Sequence, residues 1–147
     1  MSTATGRRGV TSLVVALVGL GISAYLTIEH YDTSVTLACP GTATINCVKV
    51  TTSRWSEVAG VPVAVLGLVF FVAMVALCNP VAWQRRVLDR ARLAGAGLGV
   101  LVALYLVWIE LFRVDAICLW CTGVHVCTVA LLGAVLWSGN AQPAGDR

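Results

Sequence analysis

The stretch ICLWCTGVHVCTVALLGAVLW, residues 117–137, decides the fold because it is almost entirely apolar and contains no Lys, Arg, Asp or Glu. Its length falls within the roughly 17–25 residues that an α-helix needs to cross a membrane. Three further runs have the same character, and their only charged side chain is Glu110: residues 10–28, 61–77 and 93–112. A backbone exposed to lipid must satisfy its own hydrogen bonds, and no alternating barrel pattern is present. The sequence therefore predicts an all-α membrane protein, a four-transmembrane-helix bundle.

The overall composition agrees with this class. Of the 147 residues, 59% are hydrophobic and 12% are charged, and the mean hydropathy is +0.88. A soluble domain carries about a quarter charged residues. The length accommodates one four-span membrane domain, residues 1–147, with no second domain. Residues 29–60 form the only long polar segment, and we expect this outer loop to cap the bundle with a short helix near residues 53–59.

The basic residues predict the orientation of the chain. Seven lie on one side of the predicted spans and three on the other: Arg7, Arg8, Arg85, Arg86, Arg90, Arg92 and Arg147 against Lys49, Arg54 and Arg113. By the positive-inside rule, both termini and the 78–92 loop are cytoplasmic in a multi-pass protein of the cell (plasma) membrane. The 29–60 loop and the 113–116 turn then face outward. The net charge of +3 therefore reflects topology, and no nucleic-acid partner is predicted.

The first apolar run has one alternative interpretation, a cleaved signal peptide following the Arg7-Arg8 pair. The run is long for the apolar core of a signal peptide, and no small-x-small cleavage site follows it. These features favour a retained first span.

The predicted topology divides the six cysteines. Four lie on the outer, oxidising side, in a loop pair and a pair at the start of the fourth span: Cys39, Cys47, Cys118 and Cys121. The other two, Cys78 and Cys127, lie at the cytoplasmic end of the second span and within the fourth. We expect Cys78 and Cys127 to act as small hydrophobic side chains.

The pair Cys118-Leu-Trp-Cys121 carries the clearest chemical signal. Residues three apart on a helix are separated by about 60° and one turn, close enough for a disulfide. A helix N-terminus also stabilises a thiolate, the reactive form of cysteine. Thr122 follows the second cysteine where a haem-attachment motif requires His.

The two cysteine pairs together suggest a relay, although other uses remain open. A loop pair facing water can exchange with a soluble partner, and a helix-end pair facing lipid can meet a lipid-soluble acceptor. A tetrahedral zinc site built from all four sulfurs is one alternative. A pair of structural staples is another. Redox use is favoured over zinc because both pairs sit where thiols tend to oxidise.

His125 follows Cys121 by four residues, so it lies about 40° away on the same helix face and one turn deeper. A histidine inside a membrane span is costly and by default marks a functional site. It could hydrogen-bond a quinone carbonyl or relay a proton. The alternative is a histidine paired with a neighbouring backbone carbonyl, and the sequence leaves both interpretations open.

These residues resemble the vitamin K epoxide reductase family over nearly the whole chain. Three features carry the resemblance: the Cys39/Cys47 pair followed by Ser53-Arg54-Trp55, the Gly60-Val61-Pro62 segment opening the second span with Gly67 later in it, and Cys118-Leu-Trp-Cys121 opening the fourth. The functionally similar bacterial quinone reductases that oxidise disulfide-forming proteins place their CxxC before the loop pair. The reversed order here favours the vitamin K epoxide reductase-like group.

The resemblance implies a role for each site residue. Cys39 exchanges with the partner protein, and Cys47 forms a transient bridge with Cys118. Cys121 faces a quinone of the menaquinone or ubiquinone type, which accepts the electrons. Ser53 matches a family loop serine near the active site and is expected to contribute to quinone binding.

Two departures and one missing domain qualify the resemblance. His125 falls where animal members carry a quinone-contacting tyrosine, and it is expected to be the second quinone-binding residue. Val63 and Ala64 stand where some relatives have a polar quinone ligand. Many bacterial members also carry a fused thioredoxin-like domain that is not found in this sequence, so an extracytoplasmic thioredoxin-like partner is expected to act in trans.

The sequence thus predicts a quinone-dependent thiol–disulfide oxidoreductase that reoxidises this partner and supports disulfide bond formation. Two alternatives stay open at this stage. The protein could act mainly on a small quinone or quinone epoxide, or it could be a non-catalytic scaffold stapled by two disulfides.

Overall fold

A computed structural model describes residues 3–32 and 34–139. That part of the chain contains five α-helices: α1 (Thr3–Tyr31), α2 (Cys47–Thr51), α3 (Val63–Cys78), α4 (Val87–Ile109) and α5 (Leu119–Gly139). It also contains an antiparallel pair of two-residue strands, β1 (Glu57–Val58) and β2 (Val61–Pro62). A 3₁₀ turn, Ala82–Gln84, precedes α4, and a π-helical turn, Glu110–Val114, follows it.

Three of the helices described are long and apolar enough to cross a membrane: Gly9–Tyr31, Val87–Val114 and Leu119–Ser138. They bear out the predicted all-α membrane class. Helix α3 is apolar but has 16 residues, which corresponds to about 24 Å against a hydrocarbon core of about 30 Å. The predicted span began at residue 61, but Val61 and Pro62 form strand β2 and the helix begins only at Val63.

The helices pack around α1 and α5. Helix α1 contacts α3 and α5, and α4 contacts α5 and α3. The buried cluster between them consists of small and large apolar side chains: Ala16, Phe71, Met74, Cys78, Ala96 and Leu131. Cys78 belongs to this cluster and Cys127 packs against it, so both contribute apolar volume, as expected from the sequence.

The helix expected near residues 53–59 is absent from the outer loop, and this expectation is wrong. The short helix lies earlier, at Cys47–Thr51, where the Asn46 side chain caps it by accepting a hydrogen bond from the Lys49 N–H at 2.9 Å. Residues 57–62 form a hairpin in which Val58 pairs with Val61. Its two turn residues, Ala59 and Gly60, both have positive φ, at 53° and 78°, as the favoured two-residue hairpin turn requires.

Arg92 does not lie in the cytoplasmic loop to which the charge pattern assigned it. It was counted as a loop residue, but it lies within α4 and is fully buried. Its guanidinium stacks 4.0 Å from the Trp83 ring, pairs with Asp89 at 2.5 Å and donates to the Leu77 carbonyl at 3.3 Å. These contacts compensate a buried charge that would otherwise be costly. Arg147, also counted in that pattern, lies outside the described residues.

The close approach of α1 and α3 depends on Gly19. A Cβ atom at this position would clash with the Phe71 ring, whereas a Cβ at the exposed Gly21 meets nothing within 4 Å. We expect Gly19→Ala to destabilise the protein by about 1–3 kcal/mol through overpacking. Thermal unfolding in detergent measures the effect, with Gly21→Ala as the control. Because alanine favours helix over glycine, Gly21→Ala should be neutral or slightly stabilising; equal losses in both variants would contradict this packing.

Candidate functional site

The CxxC pair lies where α5 begins. The Cys118 carbonyl accepts the Thr122 N–H at 2.8 Å, so Cys118 occupies the capping position and Cys121 lies in the first turn. The Cys121 N–H donates to the Cys118 sulfur at 3.2 Å. Cys118 is fully buried and Cys121 is half-buried, and both are unbonded thiols. Backbone N–H groups at this helix end can therefore stabilise negative charge on Cys118.

Cys118 is the more acidic cysteine of the CxxC pair. The neighbouring Cys121 thiol lowers the pKa of Cys118, chiefly by donating a side-chain hydrogen bond to its sulfur, and backbone N–H groups act in the same direction against the effect of burial. A thiol of low pKa leaves readily when a mixed disulfide is broken. Cys118 thus has the properties of a good leaving group in thiol exchange.

The loop pair is close to the CxxC pair. Cys39 and Cys47 form a disulfide, and Cys47 is only 1% exposed. Cys47 and Cys118 belong to one buried cluster with Leu26 and Leu37. Cys39 and Cys121 pack against the same cluster, so the structure brings all four predicted cysteines together.

A short backbone pairing holds the loop against the start of α5. Ile45 and Ile117 form a parallel β-bridge. The Asn46 N–H donates to the Ile117 carbonyl at 3.0 Å, and the Ile117 N–H donates to the Thr44 carbonyl at 2.9 Å. Cys47 follows Asn46 and Cys118 follows Ile117, so the pairing brings one cysteine of each pair into the same region.

Two aromatic side chains hold the loop on the Cys39 side. The Trp120 indole Nε1–H, within the CxxC motif, donates to the Ala38 carbonyl at 3.1 Å. Tyr25 of α1 packs edge-on against Trp120 at 4.8 Å between ring centroids. The Tyr25 hydroxyl donates to the Thr36 carbonyl and accepts the Ala38 N–H, both at 3.3 Å. The residue next to Cys39 is thereby fixed to both α1 and α5.

A mainly apolar cavity of about 380 Å³ lies beside Cys121. Its walls come from α1, α3, α4, α5 and the outer loop. Two polar side-chain atoms of cavity-lining residues are buried without a hydrogen-bond partner, Ser23 Oγ and His125 Nδ1. Volumes of about 300–1,000 Å³, apolar walls and a few polar groups are typical of small-molecule sites. The cavity therefore suits a flat apolar molecule that carries hydrogen-bonding oxygens, such as a quinone.

Both residues predicted to bind the quinone line this cavity. His125 is 9% exposed and lies one turn below Cys121 on α5. Ser53 also lines the cavity, but its hydroxyl donates to the Val50 carbonyl at 2.9 Å. Trp55, from the same loop, lines the cavity and packs against the buried cluster of Ile109, Val114 and Ala116. Cys39, Cys47 and Cys118 are not among the lining residues, so Cys121 is the site cysteine that faces the cavity.

Sequence reasoning missed Glu110 and treated it only as the edge of a span. Its side chain is 6% exposed, lines the cavity and accepts the Cys118 N–H through Oε2 at 3.2 Å. The π-helical turn that begins at Glu110 directs it there, and its own carbonyl accepts the Ala116 N–H at 3.2 Å. The only sequence signal was an acidic residue in an otherwise uncharged run.

The zinc alternative finds no support in the geometry. Among residues 3–32 and 34–139, no group of three or more His, Cys, Asp or Glu side chains could hold a metal ion. The two loop sulfurs are instead bonded to each other.

Long apolar helices with two cysteine pairs at one end define a helical membrane protein with a thiol redox site. The sequence matches the family model described as "Vitamin K epoxide reductase family" over residues 10–136. The chain therefore belongs to the vitamin K epoxide reductase family, a family of quinone-linked thiol–disulfide oxidoreductases of membranes. No individual curated protein matches the chain.

Proposed function

We propose that this protein oxidises an extracytoplasmic thioredoxin-like protein through two cysteine pairs, passes the electrons to a membrane quinone, and so supports disulfide bond formation. The observation that carries the proposal is the shared buried cluster of Cys47 and Cys118, beside a cavity that Cys121 faces. This arrangement provides one continuous route from the loop to the interior of the bundle.

The first half of the route is thiol–disulfide exchange. The partner's thiolate attacks Cys39 of the loop disulfide, and the partner disulfide then forms as the loop pair is reduced. Cys47 attacks Cys118 of the oxidised CxxC pair and forms a transient bridge, releasing Cys121. Cys39 resolves this bridge by attacking Cys47, and the lowered pKa of Cys118 favours its departure. After this transfer the loop pair is bonded and the CxxC pair is reduced.

The second half takes place in the cavity. A quinone bound there accepts two electrons and two protons. Cys121 faces the cavity, while His125 and Ser23 offer buried polar atoms without protein partners. Ser53 contributes its hydroxyl from the loop. Apolar walls exclude water, which strengthens the interaction of these groups with a developing negative charge.

The access route to the cavity supports a lipid-soluble acceptor. Several cavity-lining residues are also exposed on the outer surfaces of α3 and α4: Leu66, Leu98, Val102 and Tyr105. We infer from their exposure that the cavity opens between these helices, toward the position of lipid tails if α4 spans the membrane. The cavity's apolar walls and lateral opening favour a quinone that enters from the bilayer over a water-soluble acceptor.

The proposed topology has four spans, and α3, the second along the chain, is the shortest of them. Both termini and the segment between α3 and α4 are cytoplasmic, and the outer loop with both cysteine pairs is extracytoplasmic. The basic asymmetry of the sequence supports this orientation. A short span is accommodated by local thinning of the bilayer or by flanking side chains that reach the interface.

Orientation is tested with single cysteines introduced at two exposed sites. Ala43→Cys in the outer loop and Gln84→Cys before α4 are each placed in a variant in which the four site cysteines are replaced by serine. An impermeant thiol reagent applied to intact cells should label Ala43→Cys and spare Gln84→Cys, and permeabilised cells should show labelling of both. The native Cys78 cannot report orientation because it is fully buried. Labelling of Gln84→Cys alone in intact cells would reverse the topology.

The relay is tested by trapping its intermediate. A Cys39→Ser, Cys121→Ser double variant lacks both resolving thiols, so we expect it to accumulate a Cys47–Cys118 disulfide. Peptide mapping without reduction identifies the linked fragments. The matched control is Cys39→Ser, Cys118→Ser, in which Cys47 and Cys121 should remain unlinked because Cys121 faces the cavity. Equal linkage in both variants, or none in the first, would refute a relay through Cys118.

The quinone site is tested at His125. A donor beside the reduced oxygen helps most in the transition state, so His125→Ala should lower quinone turnover by roughly tenfold to a hundredfold, on the order of 1.4–2.7 kcal/mol. His125→Tyr should recover part of the activity because a phenol also donates. The control is formation of the Cys118–Cys121 disulfide with a chemical oxidant, which should be unaffected. Unchanged quinone kinetics in His125→Ala would remove this residue from the site.

A further inference from the structure

Among the described residues, Glu110 is the one buried acidic side chain in the cavity wall, and the route above does not use it. Its carboxylate accepts the Cys118 N–H at 3.2 Å through Oε2. Within residues 3–32 and 34–139, Glu110 forms no ion pair, and Oε1 has no protein hydrogen bond. A carboxyl group placed in an apolar membrane protein without a cationic partner is costly as an anion. Such a group is suited to take up and release a proton.

The position of Glu110 couples this property to the redox pair. One oxygen bonds the backbone of Cys118, and the same side chain lines the cavity that Cys121 and His125 face. The π-helical turn places it there, and turns of this kind occur frequently at functional sites. Trp55 and Val114 also line the cavity, and Val114 is buried.

We infer that Glu110 is the proton-transfer group of the redox site, accepting a proton from the CxxC thiols and returning it to the reduced quinone. This inference rests on the proposed quinone reduction. In the net reaction, two thiols and a quinone become a disulfide and a quinol, so two electrons and two protons leave the cysteines and reach the quinone. When the CxxC pair is reduced, the proton of the Cys118 thiol moves to the Glu110 carboxylate, and the resulting carboxylic acid then protonates a quinone oxygen. Glu110 is therefore the acid while the pair is reduced and the carboxylate once the pair is oxidised, and the second proton comes from the Cys121 thiol as its S–H bond breaks.

Other titratable groups near this site have different positions. His125 of α5 and the Glu29–His30 pair at the end of α1 also line the cavity, and His30 is directed to Glu57 of the hairpin at 3.7 Å. Lys49 of α2 is directed to the Asp115 carbonyl at 3.2 Å. Of the acidic groups, Glu110 alone is hydrogen-bonded to the CxxC backbone in the described part of the chain.

A purely structural role is the competing explanation, since Glu110 also holds the CxxC turn. Glu110→Gln separates the two roles because an amide oxygen still accepts the Cys118 N–H but cannot carry a proton. We expect Glu110→Gln to lower turnover with a soluble short-chain quinone by about a hundredfold, the scale of general acid–base catalysis. Exchange between the loop pair and the CxxC pair, driven by dithiothreitol, should stay within about twofold of wild type. The matched control is Asp115→Asn, which also converts a carboxyl group to an amide, at an exposed position five residues further along the chain.

A second measurement does not depend on quinone turnover or on the folding of a variant. Infrared difference spectra of the wild-type protein compare the chemically oxidised with the reduced CxxC pair. We expect a carbonyl band of a protonated carboxylic acid to change between them, to shift when glutamate is labelled with ¹³C, and to persist in Glu29→Gln and Glu57→Gln. Absence of this band overturns the inference, as does wild-type turnover in Glu110→Gln. If the band is present but wild type fails to reduce any quinone, the proposed function fails while the protonation change at Glu110 stands.

Discussion

Two backbone hydrogen bonds between residues 44–46 and Ile117 hold the outer loop to the start of α5, and the arrangement of the cysteines depends on them. Peptide groups taken away from water must find partners, so this pairing stabilises the loop while fixing its register. Each strand of the bridge runs directly into a cysteine, Cys47 on one side and Cys118 on the other. Tyr25 and Trp120 fix the preceding loop segment beside Cys39. The four sulfurs are thereby held in one region.

The apolar runs predicted the long helices well because insertion into lipid depends mainly on length and composition. The outer loop was predicted poorly. Its helix at Cys47–Thr51 depends on one side-chain cap from Asn46, and its hairpin depends on positive φ at Ala59 and Gly60. Both the cap and the turn depend on local backbone conformation in a segment of mixed composition. The hairpin also shortens α3, because β2 uses Val61 and Pro62, which the hydropathy pattern had given to the helix.

The sequence also predicted some residues of the candidate site and missed others. Cysteine spacing and the resemblance to the family identified the residues that the structure brings together, and helical periodicity put His125 and Cys121 on one face. Glu110 and Arg92 were assigned by their position near the ends of apolar runs, one as a span edge and the other as a loop charge. Their surroundings arise from contacts with residues distant along the chain, Cys118 for Glu110 and Trp83 for Arg92. A single sequence gives no direct measure of such contacts.

The Ile45–Ile117 bridge has a consequence for biogenesis. Its two strands belong to the first loop and to the start of the last helix, so a growing chain exposes the loop long before Ile117 is synthesised. During that interval Cys39 and Cys47 have each other as the nearest thiols, and Cys118 does not yet exist. The redox site is therefore completed only when α5 is inserted. A chain that stops before that step contains the loop cysteines but lacks Cys118 and Cys121.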